Sequence, residues 1–454
     1  MKKLASFVAV AALASLAAQA IHKHPGRPAA LALSAIERQI LRDAPNSPDT
    51  GLPANGDVKT LVGSLKGEAA SAPGVPGAAV QPQAAGAGAS GAANAEIEVV
   101  QSVPVETALD VPGTRRTQEV WVEMINAARK TIDLEQFYVY SKPGEALEPV
   151  LAALRAAAAR GVQVRLLLDG KFYRTYPEEP DRLAGVPNIQ ARTVDFAEGI
   201  QHAKYFVVDR SLVFSGSANF DWVALTHIHE VGLRTSDAQA ASSLEAVFAQ
   251  DWARGSAIGQ KPAPAAAEPA NADGPAPGLS GLQVVASPPA QNPAGVSDTL
   301  GAITRLLGSA RSSVKIQVYQ YTTTLYHSSQ HWNVLDAALR QAAARGTHVQ
   351  LLVDKIALKT GGPDLKALAS LANVEVRTVQ IPAWSGGQIP YSRLIHSKYL
   401  LADDSTAWVG SENWSGDYFT NSRNVGVILK EPAAVGKLGQ IFDRVWNSPY
   451  ATAL

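Results

Sequence analysis

The chain contains one polar motif twice, at a constant spacing. Residues 202–219 match the pattern H-x-K-x4-D-x6-G-S-x-N, and residues 396–413 match it again. Each residue of the second copy lies 194 positions after its partner, and the same offset relates Trp252 to Trp446. An insertion in either copy between the motif and these tryptophans would change the offset. The sequence therefore predicts two copies of one structural unit.

Both copies alternate predicted helices and strands. In the first copy the pattern of apolar residues predicts a helix, a strand, a helix and a strand over residues 117–130, 132–140, 147–160 and 162–169. The second copy repeats this order over residues 296–311, 314–321, 334–345 and 347–354. Such alternation is typical of α/β folds. We predict two α/β sandwich units with mixed sheets, related by a pseudo-two-fold axis, with the active site at their interface.

The residue types of the motif suit a ligand with several anionic oxygens. Histidine can act as a nucleophile or as an acid near neutral pH, because its unperturbed pKa is about 6.5. Lysine supplies a positive charge, and asparagine and serine supply neutral hydrogen-bond donors. We predict that the histidines, lysines and asparagines are catalytic and that the lysines and serines bind phosphate: His202, Lys204, Ser217, Asn219, His396, Lys398, Ser411 and Asn413.

The spacing within H-x-K predicts that both side chains face one cleft. Side chains two positions apart on a strand point to the same face. We therefore expect His202 beside Lys204 and His396 beside Lys398, each pair on a strand. The motif aspartates, seven positions after each histidine, would face away from the cleft. We assign them a structural role in orienting the backbone at the strand end: Asp209 and Asp403.

The doubled motif resembles that of the phospholipase D superfamily, over roughly residues 115–450. Further stretches at 216–232, 413–420 and 446–450 are similar to the animal lysosomal phospholipase-D-like exonucleases and their poxvirus relatives. That subgroup acts on the 5′ ends of single-stranded nucleic acid or on lipid phosphodiesters, depending on the member. The resemblance implies a phosphodiesterase with one site built from both copies.

The implied reaction has two steps. One histidine attacks phosphorus to give a phosphohistidine, and the other protonates the leaving oxygen and then activates water. The lysines and asparagines hold the phosphoryl oxygens as charge redistributes. Since they supply the electrostatics that a metal would give, we predict no metal and no cofactor. The nearest approach to metal-ligand spacing is His227-x-His229, which we interpret as a strand pair on the molecular surface.

The two copies differ at a position that decides the roles of the histidines. Glu230 lies where the superfamily often places a carboxylate, and the equivalent residue of the second copy is Asn424. In the superfamily that carboxylate tends to reach the histidine of the other half. A carboxylate fixes the tautomer of an imidazole and stabilises its positive charge. We therefore predict that Glu230 pairs with His396, which makes His396 the nucleophile and His202 the general acid. The alternative for Glu230 is an ordinary salt bridge near the site.

The sequence leaves the substrate open. Lys plus Arg and Asp plus Glu number 40 each, so no overall positive charge indicates nucleic-acid binding, although an exonuclease needs only a local basic groove. The subgroup resemblance favours single-stranded nucleic acid. Aromatic residues near the motifs are candidates for base stacking, with core packing as the alternative: Trp222, Trp384, Trp414 and Tyr418.

The alternative substrate is a phospholipid, cleaved by hydrolysis or by transfer to an alcohol. The second copy carries nine extra residues before its histidine, which we assign to a loop at 380–392 that shapes substrate access. Ile381, Trp384 and Ile389 of this loop could enter a bilayer interface. A third possibility, a scaffold that only binds an anionic polymer, is disfavoured because binding alone does not require both histidines.

The N-terminus has the features of a secretory signal. Lys2 and Lys3 precede an apolar run, and Ala-Gln-Ala at 18–20 is a cleavage pattern. We expect cleavage after Ala20 and export to the periplasm or medium of a bacterium, with an uncleaved anchor as the alternative. The chain has no cysteine, so the exported protein would rest on packing and not on disulfides.

Composition divides the remainder of the chain. Residues 21–95 are rich in Ala, Gly, Pro and Ser and are predicted to be a disordered tether. We place the first folded unit at 96–255, a linker at 256–280 and the second unit at 281–454. We predict a monomer with internal two-fold symmetry, whose partner is its phosphodiester substrate, with no stable protein partner.

Overall fold

The computed structural model describes residues 96–259, 281–325 and 330–454. The predicted signal peptide, the tether and most of the linker lie outside these ranges. In the described ranges no helix is long and apolar enough to cross a membrane.

The first half begins with a strand and ends with a long helix and a short edge strand. Its strands are β1 (Ile97–Ser102), β2 (Arg115–Arg116), β3 (Thr131–Gln136), β4 (Val139–Tyr140), β5 (Gln163–Asp169), β6 (Ile189–Val194), β7 (Tyr205–Val208), β8 (Leu212–Gly216), β9 (Phe220–Asp221), β10 (Ile228–Thr235) and β11 (Ser256–Ala257). Its helices are α1 (Thr117–Ala127), α2 (Glu148–Ala159), α3 (Gly170–Tyr173), α4 (Glu178–Ala184), α5 (Trp222–Thr226) and α6 (Ala238–Arg254).

The second half repeats this order with fewer short elements. Its strands are β12 (Gln283–Ser287), β13 (Ser297–Asp298), β14 (Ser313–Val318), β15 (His348–Asp354), β16 (Val374–Val379), β17 (Leu394–Ile395), β18 (Tyr399–Ala402), β19 (Thr406–Gly410), β20 (Asn424–Leu429) and β21 (Ala451–Ala453). Its helices are α7 (Thr299–Ser309), α8 (Val334–Ala344), α9 (Leu358–Ala369), α10 (Gly416–Thr420) and α11 (Pro432–Trp446), with 3₁₀ turns at Pro289–Gln291 and Lys355–Ala357.

The two main sheets have the same strand order. The first runs β11-β6-β5-β3-β7-β8-β10-β1-β2, and the second runs β21-β16-β15-β14-β18-β19-β20-β12-β13. In each, three strands are parallel (β3, β5 and β6, or β14, β15 and β16) and the next four are antiparallel. The prediction of two α/β units with mixed sheets is therefore confirmed. The first sheet also includes β11, so the first unit extends slightly beyond residue 255.

One hydrophobic core is shared by both halves. The buried faces of α6 and α11 pack in it together with residues of both sheets, including Tyr205 and Tyr399. Helices α1 and α2 cover the outer face of the first sheet, and α7 and α8 cover that of the second. Burial of apolar surface on both faces of each sheet stabilises this layered order, with the two long helices in the middle.

The segment just before each H-x-K sequence pairs with the backbone of the other half. Strand β17 of the second half pairs with β10 of the first, and Gln201 forms an isolated bridge with Arg423. The prediction that H-x-K lies on a strand is wrong. Strands β7 and β18 begin only after the lysines, because the backbone at each histidine bonds to the other half.

Candidate active site at the interface of the two halves

Both motif histidines are buried where the two halves meet. His202 is 0% exposed and His396 is 4% exposed. The backbone N–H of His202 donates to Arg423 O (2.8 Å), and that of His396 donates to His229 O (2.9 Å). Each histidine is thus fixed by the backbone of the other half, which brings both motif copies to one interface.

The rings of the two histidines contact chemically different partners. His202 Nδ1 lies 2.8 Å from Asn424 Oδ1, whereas His396 Nδ1 lies 2.7 Å from Glu230 Oε1. Amide and carboxylate oxygens accept hydrogen bonds, so Nδ1 carries a proton in both rings and leaves Nε2 for chemistry. The contact between Glu230 and His396 is the one that the sequence predicts.

The two lysines are buried beside the histidines and differ in their contacts. Lys398 Nζ lies 2.7 Å from His396 Nε2, and Lys204 Nζ donates to His202 O (2.6 Å). An ammonium group only donates, so Nε2 of His396 accepts and carries no proton. The lysine must transfer this hydrogen bond to the ligand before the Nε2 lone pair can attack phosphorus. Two buried positive charges at one interface favour an anionic ligand such as a phosphodiester.

The serines lie behind the histidines. Ser217 Oγ donates to Glu230 Oε2 and Ser411 Oγ donates to Asn424 Oδ1, at 2.5 and 3.0 Å. The sequence analysis predicts that these hydroxyls bind phosphate. The contacts give them a positioning role instead, since each holds the residue that orients a histidine.

Asn219 lies next to a tyrosine that carries no sequence signal. Asn219 Nδ2 donates to Tyr138 OH (3.3 Å), and that hydroxyl donates to Asp221 Oδ2 (2.9 Å). Burial raises the pKa of Asp221 to about 6, and His396 acts on this carboxyl electrostatically. Through Tyr138, the asparagine of the first motif is therefore linked to a carboxyl that His396 influences. Asn413, its equivalent, is fully buried.

The motif aspartates bind backbone. Asp209 accepts from the N–H groups of residues 129–131, and Asp403 accepts from those of residues 311–313. Burial opposes ionisation of Asp403, but these N–H groups outweigh it and lower its pKa to about 2. Both aspartates have positive φ, 49° and 52°, at the turn that follows β7 or β18. These contacts fit the predicted structural role.

Two further aspartates bind the backbone N–H of the residue just before each histidine. Asp169 Oδ2 accepts from Gln201 N (2.8 Å), and Asp354 Oδ2 accepts from Ile395 N (3.0 Å). Burial raises the pKa of Asp169 to about 6 and that of Asp354 to about 7. The sequence shows both only as residues that close buried strands. Their link to the histidines depends on chain segments more than 30 residues apart and is visible only in the fold.

The comparisons with known proteins agree with this geometry. The family model described as "Cardiolipin synthase, PLD-like domain" matches residues 121–252 and 303–446. This chain belongs to the phospholipase D-like family. A probable phospholipase D of Caenorhabditis elegans is 30% identical over 391 residues, covering 78% of this chain and 70% of that protein.

Other relatives extend the similarity within the family. The 5′-3′ exonuclease PLD3 of Xenopus laevis is 29% identical over 402 residues, covering 78% of this chain and 80% of that protein. The crystal structure of phosphatidylserine synthase from Haemophilus influenzae Rd KW20 has a similar fold, with a TM-score of 0.53 at 13% identity. It covers 79% of this chain and 87% of that one. The phospholipase D-like chain is accordingly a phosphodiesterase-type hydrolase.

One prediction about this phospholipase D-like interface is wrong. His227 and His229 are not on the surface but are 2% and 0% exposed. The backbone carbonyl of His229 accepts from the segment that carries His396, so the residue is enclosed by both halves. Burial lowers the pKa of His229 to about 4, which keeps this imidazole neutral. Within the described part of the chain, no group of three or more His, Cys, Asp or Glu is placed to hold a metal ion.

The equivalent of His229 in the second half is Arg423, 194 positions later. Its guanidinium is fully buried and pairs with Asp251, with Nε 2.6 Å from Oδ2. A third buried group, Glu135, lies close enough to raise the pKa of Arg423 electrostatically. A buried ion pair therefore occupies the place in the second half that a neutral imidazole has in the first.

Proposed function

We propose that this phosphodiesterase cleaves single-stranded nucleic acid through a phosphohistidine formed on His396. The observation that carries the proposal is the arrangement around that ring. A buried carboxylate, Glu230, accepts from Nδ1, and the ammonium of Lys398 lies at Nε2. The equivalent partner of His202 is a neutral amide. Only one of the two rings therefore has a negative charge to stabilise the cation that forms on attack.

In the first step the Nε2 lone pair of His396 attacks phosphorus. The bond between phosphorus and the leaving oxygen breaks, and His202 gives its Nε2 proton to that oxygen. Lys204 and Lys398 stabilise the phosphoryl oxygens as negative charge moves onto them, and Asn219 and Asn413 donate hydrogen bonds to the same oxygens. Glu230 offsets the positive charge of the phosphorylated imidazole.

In the second step water replaces the leaving group. His202, now neutral at Nε2, takes a proton from water as the water oxygen attacks phosphorus. The bond from phosphorus to His396 Nε2 breaks, and the histidine recovers its lone pair. Because Asn424 accepts from Nδ1, His202 can act at Nε2 first as an acid and then as a base without a change of tautomer at Nδ1.

Nucleic acid is supported as the substrate class by the relative named as a 5′-3′ exonuclease, which resembles this chain over most of both proteins. A phospholipid remains the alternative because another relative is named as a probable phospholipase D. The loop at 380–392 does not favour the lipid. Ile381 is 5% exposed, Ile389 packs against the outer core of the first half, and the Trp384 ring contacts His227 at 4.9 Å between ring centroids. These apolar side chains face the protein and not a bilayer.

We also propose that the protein is exported, on the strength of the signal pattern at residues 1–20. The predicted tether would then separate a folded unit from the processed N-terminus. N-terminal sequencing of the protein recovered from the periplasm tests this, and an N-terminus at Met1 would contradict it.

The test of the proposed activity uses residues 21–454 in the presence of EDTA. Labelled single-stranded DNA with a free or a blocked 5′ end is assayed beside phosphatidylcholine vesicles, with His396→Ala as the control. We expect DNA cleavage that resists EDTA and is lost in the variant, and the blocked end distinguishes exonuclease from endonuclease. Lipid turnover without DNA cleavage would contradict this proposal and support the alternative, a phospholipase.

A further inference from the structure

Three tyrosines form a continuous row that begins at the site. Tyr138 OH accepts from Asn219 Nδ2, as described above. The Tyr138 ring contacts the Tyr176 ring with centroids 5.2 Å apart, and Tyr176 contacts Tyr140 at 5.0 Å. The rings are tilted by 33° and 42°, so neighbouring faces are not fully stacked on each other. We call Tyr138, Tyr176 and Tyr140 the tyrosine row.

The rings of the tyrosine row are more exposed than three of the four aromatics that the sequence suggests for base stacking. The fourth, Trp384, is half-buried against His227. Trp222, Trp414 and Tyr418 are 3%, 1% and 3% exposed and pack in the hydrophobic cores. The three rings of the row are only half-buried. They therefore keep aromatic surface that a ligand can cover, whereas the buried rings do not.

The row also starts on the side of His202. Phe137, the neighbour of Tyr138 in the chain, contacts the His202 ring at 5.0 Å between centroids. Beyond the other end, the exposed Lys142 follows Tyr140 by two positions, with Nζ 4.7 Å from the Trp222 ring centroid. The path from the reacting centre thus passes aromatic faces and reaches a cation.

The tyrosine row is more polar than a surface that binds an acyl chain. Tyr138 OH bonds to Asp221 and Asn219. Burial raises the pKa of Tyr176 to about 12, so its hydroxyl is neutral at physiological pH and adds no charge. Neutral aromatic faces that end at a lysine suit bases joined by phosphates better than they suit an acyl chain.

We propose that the tyrosine row stacks the bases of a single-stranded substrate whose scissile phosphate is bound at the two histidines. This inference rests on the proposed function and assigns a binding surface to it. Every base has a π face, so aromatic side chains bind single strands with little sequence preference. The row begins at Asn219 and next to the contact between Phe137 and His202, so the stacked segment adjoins the scissile phosphate.

The test compares two oligonucleotides of equal length and charge, an oligothymidylate and an abasic strand. The readout is the ratio of their KM values, which isolates the contribution of the bases. We expect Tyr176→Leu and Tyr140→Leu each to reduce the advantage of oligothymidylate by roughly 5- to 20-fold, a typical effect for one base–aromatic contact. Tyr176→Phe keeps the ring and is expected to keep the advantage.

The matched control is Tyr173→Leu. Tyr173 is also half-buried, but its hydroxyl donates to Asp181 (2.8 Å) and it lies outside the row. The KM ratio of this variant should stay at the wild-type value. Unchanged ratios in both row variants would overturn the inference while leaving nucleic-acid cleavage intact. A wild-type protein that cleaves neither strand would instead overturn the proposed function and this inference together.

A second measurement does not depend on the folding of the leucine variants. Oligonucleotides with one 2-aminopurine, placed at successive positions, are bound to the otherwise unchanged His396→Ala protein. Stacking on tyrosine is expected to quench the fluorescence at a run of positions next to the scissile phosphate. Saturated complexes with unquenched fluorescence at every position would overturn the assignment of the row.

Discussion

Glu230→Gln tests the assignment of the nucleophile because it removes one charge and little else. The glutamine oxygen can take the place of Oε1 and accept from His396 Nδ1. Its amide nitrogen then replaces Oε2 and donates to Ser217 Oγ. That hydroxyl can turn to the carbonyl of Val231, which is already 3.2 Å away. The tautomer of His396 is preserved, so any loss of activity reports the missing negative charge.

The size of the effect follows from the distance. Glu230 Oε1 and His396 Nδ1 are 2.7 Å apart in a buried pair. Two unit charges separated by about 4 Å, a distance suited to the centres of the two groups, interact by about 4 kcal/mol at an effective dielectric constant of 20. Each 1.36 kcal/mol changes a rate about tenfold. Full loss of this interaction would slow attack by about 10³-fold, and we expect a fall in kcat of roughly 10²- to 10³-fold because the glutamine oxygen still accepts from Nδ1 and keeps part of the stabilisation.

The assay is a single-turnover experiment with rapid quenching, in which labelled phosphate is trapped on the denatured protein. Glu230→Gln should slow the appearance of phosphohistidine on His396 without changing its position in the chain. The melting temperature is measured in parallel, to separate lost catalysis from lost folding. The control is Ser411→Ala, which removes the hydroxyl that donates to Asn424, the neutral partner of His202. A fall in kcat below about fivefold, or a label on His202, would refute the assignment.

Three further predictions concern stability. Arg423→Met leaves its buried aspartate partner without a counter-charge, and we expect the free energy of unfolding to fall by about 3–5 kcal/mol in urea denaturation. Asp403→Ala removes the acceptor for three backbone N–H groups, so we expect a loss of about 2–4 kcal/mol, measured in the same way, with kcat of the folded protein retained. Burial raises the pKa of Asp354 and of Glu412 to about 7, above the ordinary values of 3.8 and 4.5 for these carboxyls. The folded state then binds more protons than the unfolded state, so the free energy of unfolding should fall as pH rises from about 4 to about 7. Calorimetry should therefore give a higher melting temperature at pH 5 than at pH 8. His229, whose pKa is lowered to about 4, acts in the opposite direction but is a single group.

The repeated motif was sufficient to predict the architecture because a constant offset constrains a whole unit at once. Alignment of the copies also exposed Glu230 against Asn424 as a difference between them, but the pairing of Glu230 with His396 came from the resemblance to the phospholipase D superfamily. Patterns within one copy gave wrong predictions of exposure where the two halves are in contact. His229 has the alternation of a surface strand, but the second half covers it, and no pattern within one unit records that contact.

The tyrosine row was missed for a related reason. Tyr138 and Tyr140 follow a buried strand, and Tyr176 lies in a separate connection between α3 and α4. Their contact is set by the way these connections pack over the edge of the first sheet. Tryptophans beside the motifs looked more suitable for base stacking, yet the residues that flank a buried motif are themselves drawn into the core. The partly exposed aromatic surface is formed by tyrosines that lie further from the motifs in the sequence.

The proposed reaction gives a reason for the unequal halves. Duplication places two identical histidines at one interface, but a two-step displacement needs one ring that becomes cationic and one that exchanges a proton. Glu230 supplies charge to the first, whereas Asn424 offers His202 only an amide oxygen. A carboxylate could not replace Asn424 without cost, because Asn424 Nδ2 donates to the carbonyls of Tyr418 (2.8 Å) and Ser422 (3.3 Å), and a second oxygen there would face both. The backbone of the second half thus selects the neutral partner and maintains the difference between the two histidines.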